Sequence, residues 1–208
     1  MLRTANGWIH SVQDLIAQFE CGHRVNLNQA ASHGLITKPK IEDPNLELLR
    51  ELGQLFEQRR LSQLEQSRKV IKLSQPNHSP SGYEEAWQET KLAMQQEAEV
   101  IYQGTLYDGK FVGIVDFLLL RRGSSGEIER DENGKAIYEP VDSKSARREK
   151  VSAVIQVGAY ANLLQRLGWP KAKQVHLWLA GDADWSGDAG KAMAVASEVE
   201  GQLQEQLA

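Results

Sequence analysis

Apolar residues recur along this chain with two different periods, and the change falls near residue 99. In "SVQDLIAQFECGHRVNLNQAA" the residues Val12, Leu15, Ile16 and Phe19 follow a helical spacing, and Ser11 is placed to cap the first turn. "ITKPKIEDP", with two prolines bracketing charge, reads as a linker. From Asn45, "NLELLRELGQLFEQRRLSQLEQSRKVIKL" repeats Leu46, Leu49, Leu52, Phe56 and Leu64 on one side, which predicts a long amphipathic helix. Gly53 interrupts it at ~1 kcal/mol against Ala, which calls for a packing or functional reason. "SQPNHSPSG" is a turn-rich loop, and "YEEAWQETKLAMQQEA" predicts a second amphipathic helix.

Beyond that point the pattern is of strands. "EVIYQGTLYDGKFVGIVDFLLLRR" holds two β-type runs joined at Asp108-Gly109, a strong hairpin signal. "RGSSGEIERDENGK" is a long polar turn, "AIYEPVDSK" a third strand, "REKVSAVIQVGAYANLLQRLG" a helix and "KQVHLWLAG" a fourth strand. The tail "AGKAMAVASEVEGQLQEQL" has a helical pattern too weakly apolar to predict firm packing. This order predicts an α/β (α+β) domain with a small central mixed β-sheet flanked by helices. Strand, helix and strand at its end predict a right-handed βαβ crossover. The chain reads as one domain: a mainly helical part over 1–98, a sheet with its following helix over 99–180, and a turn and helix over 181–208.

Composition narrows the class. A chain of 208 residues has room for one substantial core, and 41% hydrophobic with 25% charged residues is ordinary for a globular domain. No apolar run approaches the ~20 residues of a membrane span, and the N-terminus lacks the h-region of a signal peptide. One cysteine, Cys21, excludes an intrachain disulfide, so a reduced, cytoplasmic protein without membrane partners is expected. A pI near 5.8 argues against a protein that coats nucleic acid. It leaves room for an enzyme that is basic only along a substrate track and acidic where metal sits.

Three places stand out for their chemistry. In "FVGIVDFLLL", Asp116 is the one charge in a nearly unbroken apolar run, the pattern of a strand covered on both faces. A buried carboxylate is costly unless paired, hydrogen-bonded or bound to metal. The bland alternative is an Asp at a strand end that faces solvent or meets an arginine. In "IYEPVDSKSARREK", Asp142 and Lys144 lie two apart, so a strand points both to one side, and Pro140 before them predicts an edge or a bend. An isolated Asp-x-Lys is most often a solvated pair. Here it follows a lone strand Asp and precedes a helix that sets Gln156 and Tyr160 on one face at i and i+4. The basic run Arg147, Arg148 and Lys150 comes between, in a chain of net charge −4.

Asp116, then "VDSK", then "QVGAY" resemble the PD-(D/E)XK nuclease superfamily, and within it the RecB-like group, marked by a Gln-x-x-x-Tyr helix after the catalytic lysine. "LGQLFEQRRL" is similar to that group's helix in which Gly is followed four residues on by His or Glu, here Gly53 and Glu57. "SVQDLIAQFECGHR" resembles the group's opening Cys-x-His helix, with His23 in place. The likeness spans most of residues 8 to 180. It implies a restriction-endonuclease-like core with a helical N-terminal part, and a metal-dependent nuclease that hydrolyses DNA phosphodiester bonds. Asp116, Asp142 and Lys144 would be catalytic, and Asp116, Asp142 and Glu57 would hold Mg²⁺ or Mn²⁺ in an oxygen site. The metal would polarise the phosphate and acidify water, with Lys144 orienting that water or stabilising developing charge. Gln156 and Tyr160 would position the DNA, and Arg147, Arg148 and Lys150 would contact phosphates. Because RecB-like domains are often fused to helicases, the resemblance also implies a helicase or other domain of a longer polypeptide as partner.

The chain departs from that pattern at Phe56, which stands where relatives often have His. Relatives with iron–sulfur clusters use four cysteines, so with Cys21 alone no cluster is expected. Gly53 would let the helix approach the sheet closely and bring Glu57 over the strand carboxylates; the alternative is a surface pair with Arg60. "GDADWSGDAG" imitates a calcium loop through Asp182, Asp184, Ser186 and Gly187, but Met193 stands where a bidentate glutamate is needed, so the stretch reads as a turn. His10, His33, His78 and His176 lack ligand spacing, and Trp178 reads as packing rather than a base-stacking platform. The competing function is a catalytically silent nucleic-acid-binding or assembly module that retains the nuclease fold.

Overall fold

The first elements are strands, not a helix. In the computed structural model, which describes residues 1–4, 7–39, 43–180 and 184–207, β1 (Leu2–Thr4) and β2 (Gly7–Ser11) pair antiparallel. Strands of three and five residues are too short to show an alternation in sequence. Ser11 closes β2 and caps α1 (Val12–Glu20) in a reciprocal box, with Asp14 N donating to Ser11 Oγ at 3.2 Å and Ser11 N donating to Asp14 Oδ2 at 2.8 Å. The helical run breaks at Cys21, and α2 (Gly22–Ser32) is a separate helix.

α3 (Pro44–Glu65) starts on a proline behind the Asp43 cap. It ends earlier than its sequence pattern, because Val70–Lys72 form β3, parallel to β4 (Val100–Tyr107). The predicted stripe is also corrected: Leu46, Leu49 and Leu52 are exposed, while Phe56 and Leu64 are half-buried. The helix meets the sheet through its C-terminal half, where Leu61 packs on Val100, Phe117 and Val141 and Glu57 reaches Gln103. α4 (Pro80–Gln95), capped by Ser79, covers β4 through Tyr83, Trp87 and Met94.

β4 and β5 (Phe111–Leu120) form the predicted hairpin, turning at Gly109 with φ +91°. The polar turn after them carries two short bridges, Arg122↔Ile128 and Arg130↔Ala136. β6 (Tyr138–Lys144) then pairs antiparallel with β5 and, across α5 (Val151–Arg166), parallel with β7 (Gln174–Leu179). β6 is therefore internal, which rules out the edge among the two alternatives, edge or bend, that Pro140 predicts. The proline is tolerated because the β7 ladder begins only at Val141.

The stretch read as a turn supplies the last strand, β8 (Trp185–Asp188), antiparallel to β7; Asp182 lies outside the described residues. Nor is α6 (Ala189–Leu207) loosely held, since Ala192, Ala196, Val199 and Leu203 are buried. A Cβ built on Gly158 of α5 would lie 2.3 Å from the Ala192 carbonyl oxygen. Small residues explain both observations: they weaken the apolar pattern and let two helix backbones approach.

The fold is mixed α/β, an eight-stranded mixed sheet flanked by six helices among the described residues. In β7, Val175, Leu177 and Leu179 join the larger core with α5, whereas Trp178 joins the smaller one under α3, so the two helices cover opposite faces. The topology contains one break. β4 occupies one edge of β5 from Val112 to Leu119. The other edge is shared, by β2 at Phe111 and Val112 and by β6 at Phe117 to Leu120. On that edge residues 113–116 have no strand partner among the described residues, and the sheet splits. No helix among the described residues is long and apolar enough to cross a membrane.

Candidate active site

The β5–β6 ladder ends at Phe117↔Val141, and Asp116 and Asp142 are the next residues on each strand, where the two part. Ser143 N, left without a ladder acceptor, donates to Asp116 Oδ2 at 2.7 Å, and Ser143 Oγ donates to the same oxygen at 2.8 Å. Burial pushes the Asp116 carboxyl above the usual range, against the Ser143 hydrogen bonds and the charge of Lys144. Asp142 is 1% exposed. Its Oδ1 accepts from Gln156 Nε2 at 2.8 Å. Its Oδ2 lies 2.6 Å from Lys144 Nζ, a short ion pair with a buried carboxylate. Burial, reinforced by the charge of Asp116, pushes its pKa up to about 7, with Lys144 opposing and Glu57 adding to the rise.

α5 supports this arrangement from one face. The expected i, i+4 pair is present, with Gln156 Nε2 also donating to Tyr160 Oη at 2.9 Å. Both are buried and border the cavity, the amide spent on Asp142 and on the phenol. The Tyr160 ring packs against Gly113 at the split edge, where a Cβ would fall 2.8 Å from it. Arg147 and Arg148 are exposed on the segment between β6 and α5, and Arg148 and Lys150 line a smaller cavity of about 330 Å³ beside Lys144.

Because the β5 edge is open, side chains from both faces reach one cavity of about 780 Å³: Gly53, Gln54 and Glu57 from α3, Gln156 and Tyr160 from α5, with Asp116, Asp142 and Lys144. Glu57 is half-buried and accepts a hydrogen bond from Gln103 Nε2. Burial raises its carboxyl and so does the charge of Asp116, while hydrogen bonds from Tyr102 and Gln103 and the charge of Lys144 oppose. Gly53 does not act as expected. A Cβ there would meet nothing within 4 Å, so the close approach of α3 belongs to Leu61 instead.

Gln103 is a site residue that the sequence did not reveal. It sits at φ +59°, and the β4–β5 ladder skips the pair Gln103–Asp116 while register is kept on either side. A non-glycine residue held there costs about 1–3 kcal/mol and persists only where its surroundings enforce it. Nothing in "VIYQGTLY" marks that backbone angle. Of the histidines, His33 meets Arg3 and Trp8, His78 meets Tyr83 at the cavity wall, and His176 joins Glu139 and Ser186. Trp178 packs on Phe117, with ring centroids 4.8 Å apart, and Arg60 lies over it.

Among the described residues, no three of His, Cys, Asp and Glu are arranged as they stand to hold a metal ion. The donor chemistry fits a hard divalent cation in kind, since Asp116, Asp142 and Glu57 line one cavity and the charge of Asp116 pushes up the carboxyls of both Asp142 and Glu57. No protein-family model matches this sequence, and no curated protein matches it.

Proposed function

We propose that the chain is a metal-dependent nuclease with a restriction-endonuclease-like core of the RecB-like kind, hydrolysing phosphodiester bonds in DNA. The observation that carries this reading is the parted end of β5 and β6. Two carboxylates from adjacent strands come together there, with a lysine 2.6 Å from one of them and a third carboxyl, Glu57, on the same cavity. An ion pair kept for stability alone has no need of a second buried carboxylate, whose charge pushes Asp142 up.

Asp116, Asp142 and Glu57 would hold Mg²⁺ or Mn²⁺, which when bound supplies Lewis acidity to the phosphate and acidifies water. Gln156 fixes Asp142 through Oδ1 and so leaves Oδ2 facing Lys144. Tyr160, seated on Gly113, backs the Gln156 amide. Lys144 sets an ammonium against the same pocket, where it offsets charge developing on phosphoryl oxygens. The exposed Arg147, Arg148 and Lys150 take neighbouring backbone phosphates. A helicase or other domain of a longer polypeptide is the partner that goes with this reading.

The test is cleavage of single- and double-stranded DNA with Mg²⁺ or Mn²⁺, with and without EDTA. Cleavage is expected only with metal, and Asp116→Asn, Asp142→Asn and Lys144→Ala should each reduce it about 100-fold or more. Near-parental rates in any of them would sink the assignment. The silent nucleic-acid-binding module draws on a different observation, that each carboxyl is already engaged, Asp116 by Ser143, Asp142 by Gln156 and Glu57 by Gln103. It predicts DNA binding without metal-dependent cleavage.

A further inference from the structure

The N-terminal half of α3 carries an apolar surface that the fold does not use. Leu48, Leu52 and Leu55 are 46% to 61% exposed and adjoin one another, unlike the scattered single apolar residues of an ordinary surface. On the side of the helix away from the cavity, Glu51, Leu55 and Arg59 follow at i, i+4 and i+8 and form one ridge, with Leu48 and Leu52 on the ridge beside it. Gly53 and Glu57, which line the cavity, fall on the opposite side. Leu55 thus stands midway between an acid and a base. Among the described residues neither Glu51 nor Arg59 has an ion-pair partner.

We propose that a second copy of this chain docks here, its α3 antiparallel to the first across a twofold axis at Leu55. Rotation about that axis exchanges the two ends of the ridge, so Glu51 of each copy meets Arg59 of the other. Parallel packing would set acid on acid and base on base. An unrelated partner has no need of a ridge that is antisymmetric about its own centre; an isologous contact does. Three helical turns make a small contact beside the ~800 Å² per partner of a standard interface, so the dimer is concentration-dependent. It forms whatever chemistry the cavity performs.

Sedimentation velocity over a dilution series tests this directly. The parent should move from monomer to dimer as concentration rises, and Leu55→Glu should stay monomeric throughout. Glu51→Lys and Arg59→Glu should each weaken the dimer at least about tenfold by setting like charges together, and the two combined should restore it. All three positions are exposed on the helix surface, and circular dichroism checks that the fold is kept. A parent that is monomeric at every concentration overturns the proposal. So does a dimer that survives Leu55→Glu, or one that the double exchange fails to restore.

Discussion

Glu139 and Asp142 lie three residues apart on β6 and are driven in opposite directions. Burial alone would raise Glu139, but hydrogen bonds with His176 at 3.1 Å and Arg121 at 2.6 Å outweigh it and hold the carboxyl below the usual range. The unfolded chain then binds more protons as pH falls, so this stabilisation is present above the ordinary glutamate range and lost as pH drops through the lowered value. Asp142 works the other way. With its pKa near 7 in the fold, the native state keeps a proton that the unfolded state has released, so stability falls as pH rises from about 4 to about 7. Glu139→Gln should therefore cost about 2 kcal/mol at neutral pH and little in acid. In protein free of divalent metal, Asp142→Asn should raise the melting temperature at neutral and alkaline pH and leave it unchanged near pH 4. Thermal melts across pH check both, and parallel profiles for parent and variant would contradict these charge states. Asp116, Asp142 and Lys144 were legible because a lone charge in an apolar run and a two-residue spacing are visible in letters. Gln103 was not, because a left-handed backbone at a glutamine leaves no mark on composition.

The elements differ in how much of them their own residues encode. The β4–β5 hairpin was readable from Asp108-Gly109, and α5 from its continuous apolar face, because both are set by local geometry. β3 and β8 escaped because strands of three and four residues acquire their identity from the neighbour they pair with. α3 misled in the other direction: its leucines keep a helical period, but most of that period faces water. Two glycines separate the packing role from the propensity role. Gly113→Ala sets a Cβ 2.8 Å from the Tyr160 ring and 3.1 Å from Val12 Cγ2, so the ring must shift and carry the Gln156 amide with it. We expect a loss of about 1–3 kcal/mol, together with reduced cleavage if the cavity is catalytic. Gly53→Ala meets open space and should stabilise the helix by about 1 kcal/mol. Denaturant titration of the two variants settles it, and a stabilising Gly113→Ala would show that the tyrosine has room to spare.

At the scale of the molecule, the class of fold followed from the order of elements, but the split in the sheet could not. It arises because β2 and β6, far apart in sequence, share one edge of β5 and leave residues 113–116 between them. Such a pairing is a property of the assembled chain. The same assembly leaves α3 resting on a small cluster around Leu61, while β5 and β6 lie inside the sheet. Local opening is governed by how much buried contact must be given up, so α3, with Leu61 its one buried side chain, opens more readily than the central strands. Amide hydrogen exchange in dilute, monomeric protein should show α3 exchanging far faster than β5. Leu61→Ala, at about 2–5 kcal/mol, should speed exchange in α3 more than in the central strands. Equal protection of helix and sheet would contradict this. Glu57 rides on that helix, whereas Asp116 and Asp142 are fixed to the strands, so each transient opening of α3 removes one carboxylate from the cavity and each closure returns it.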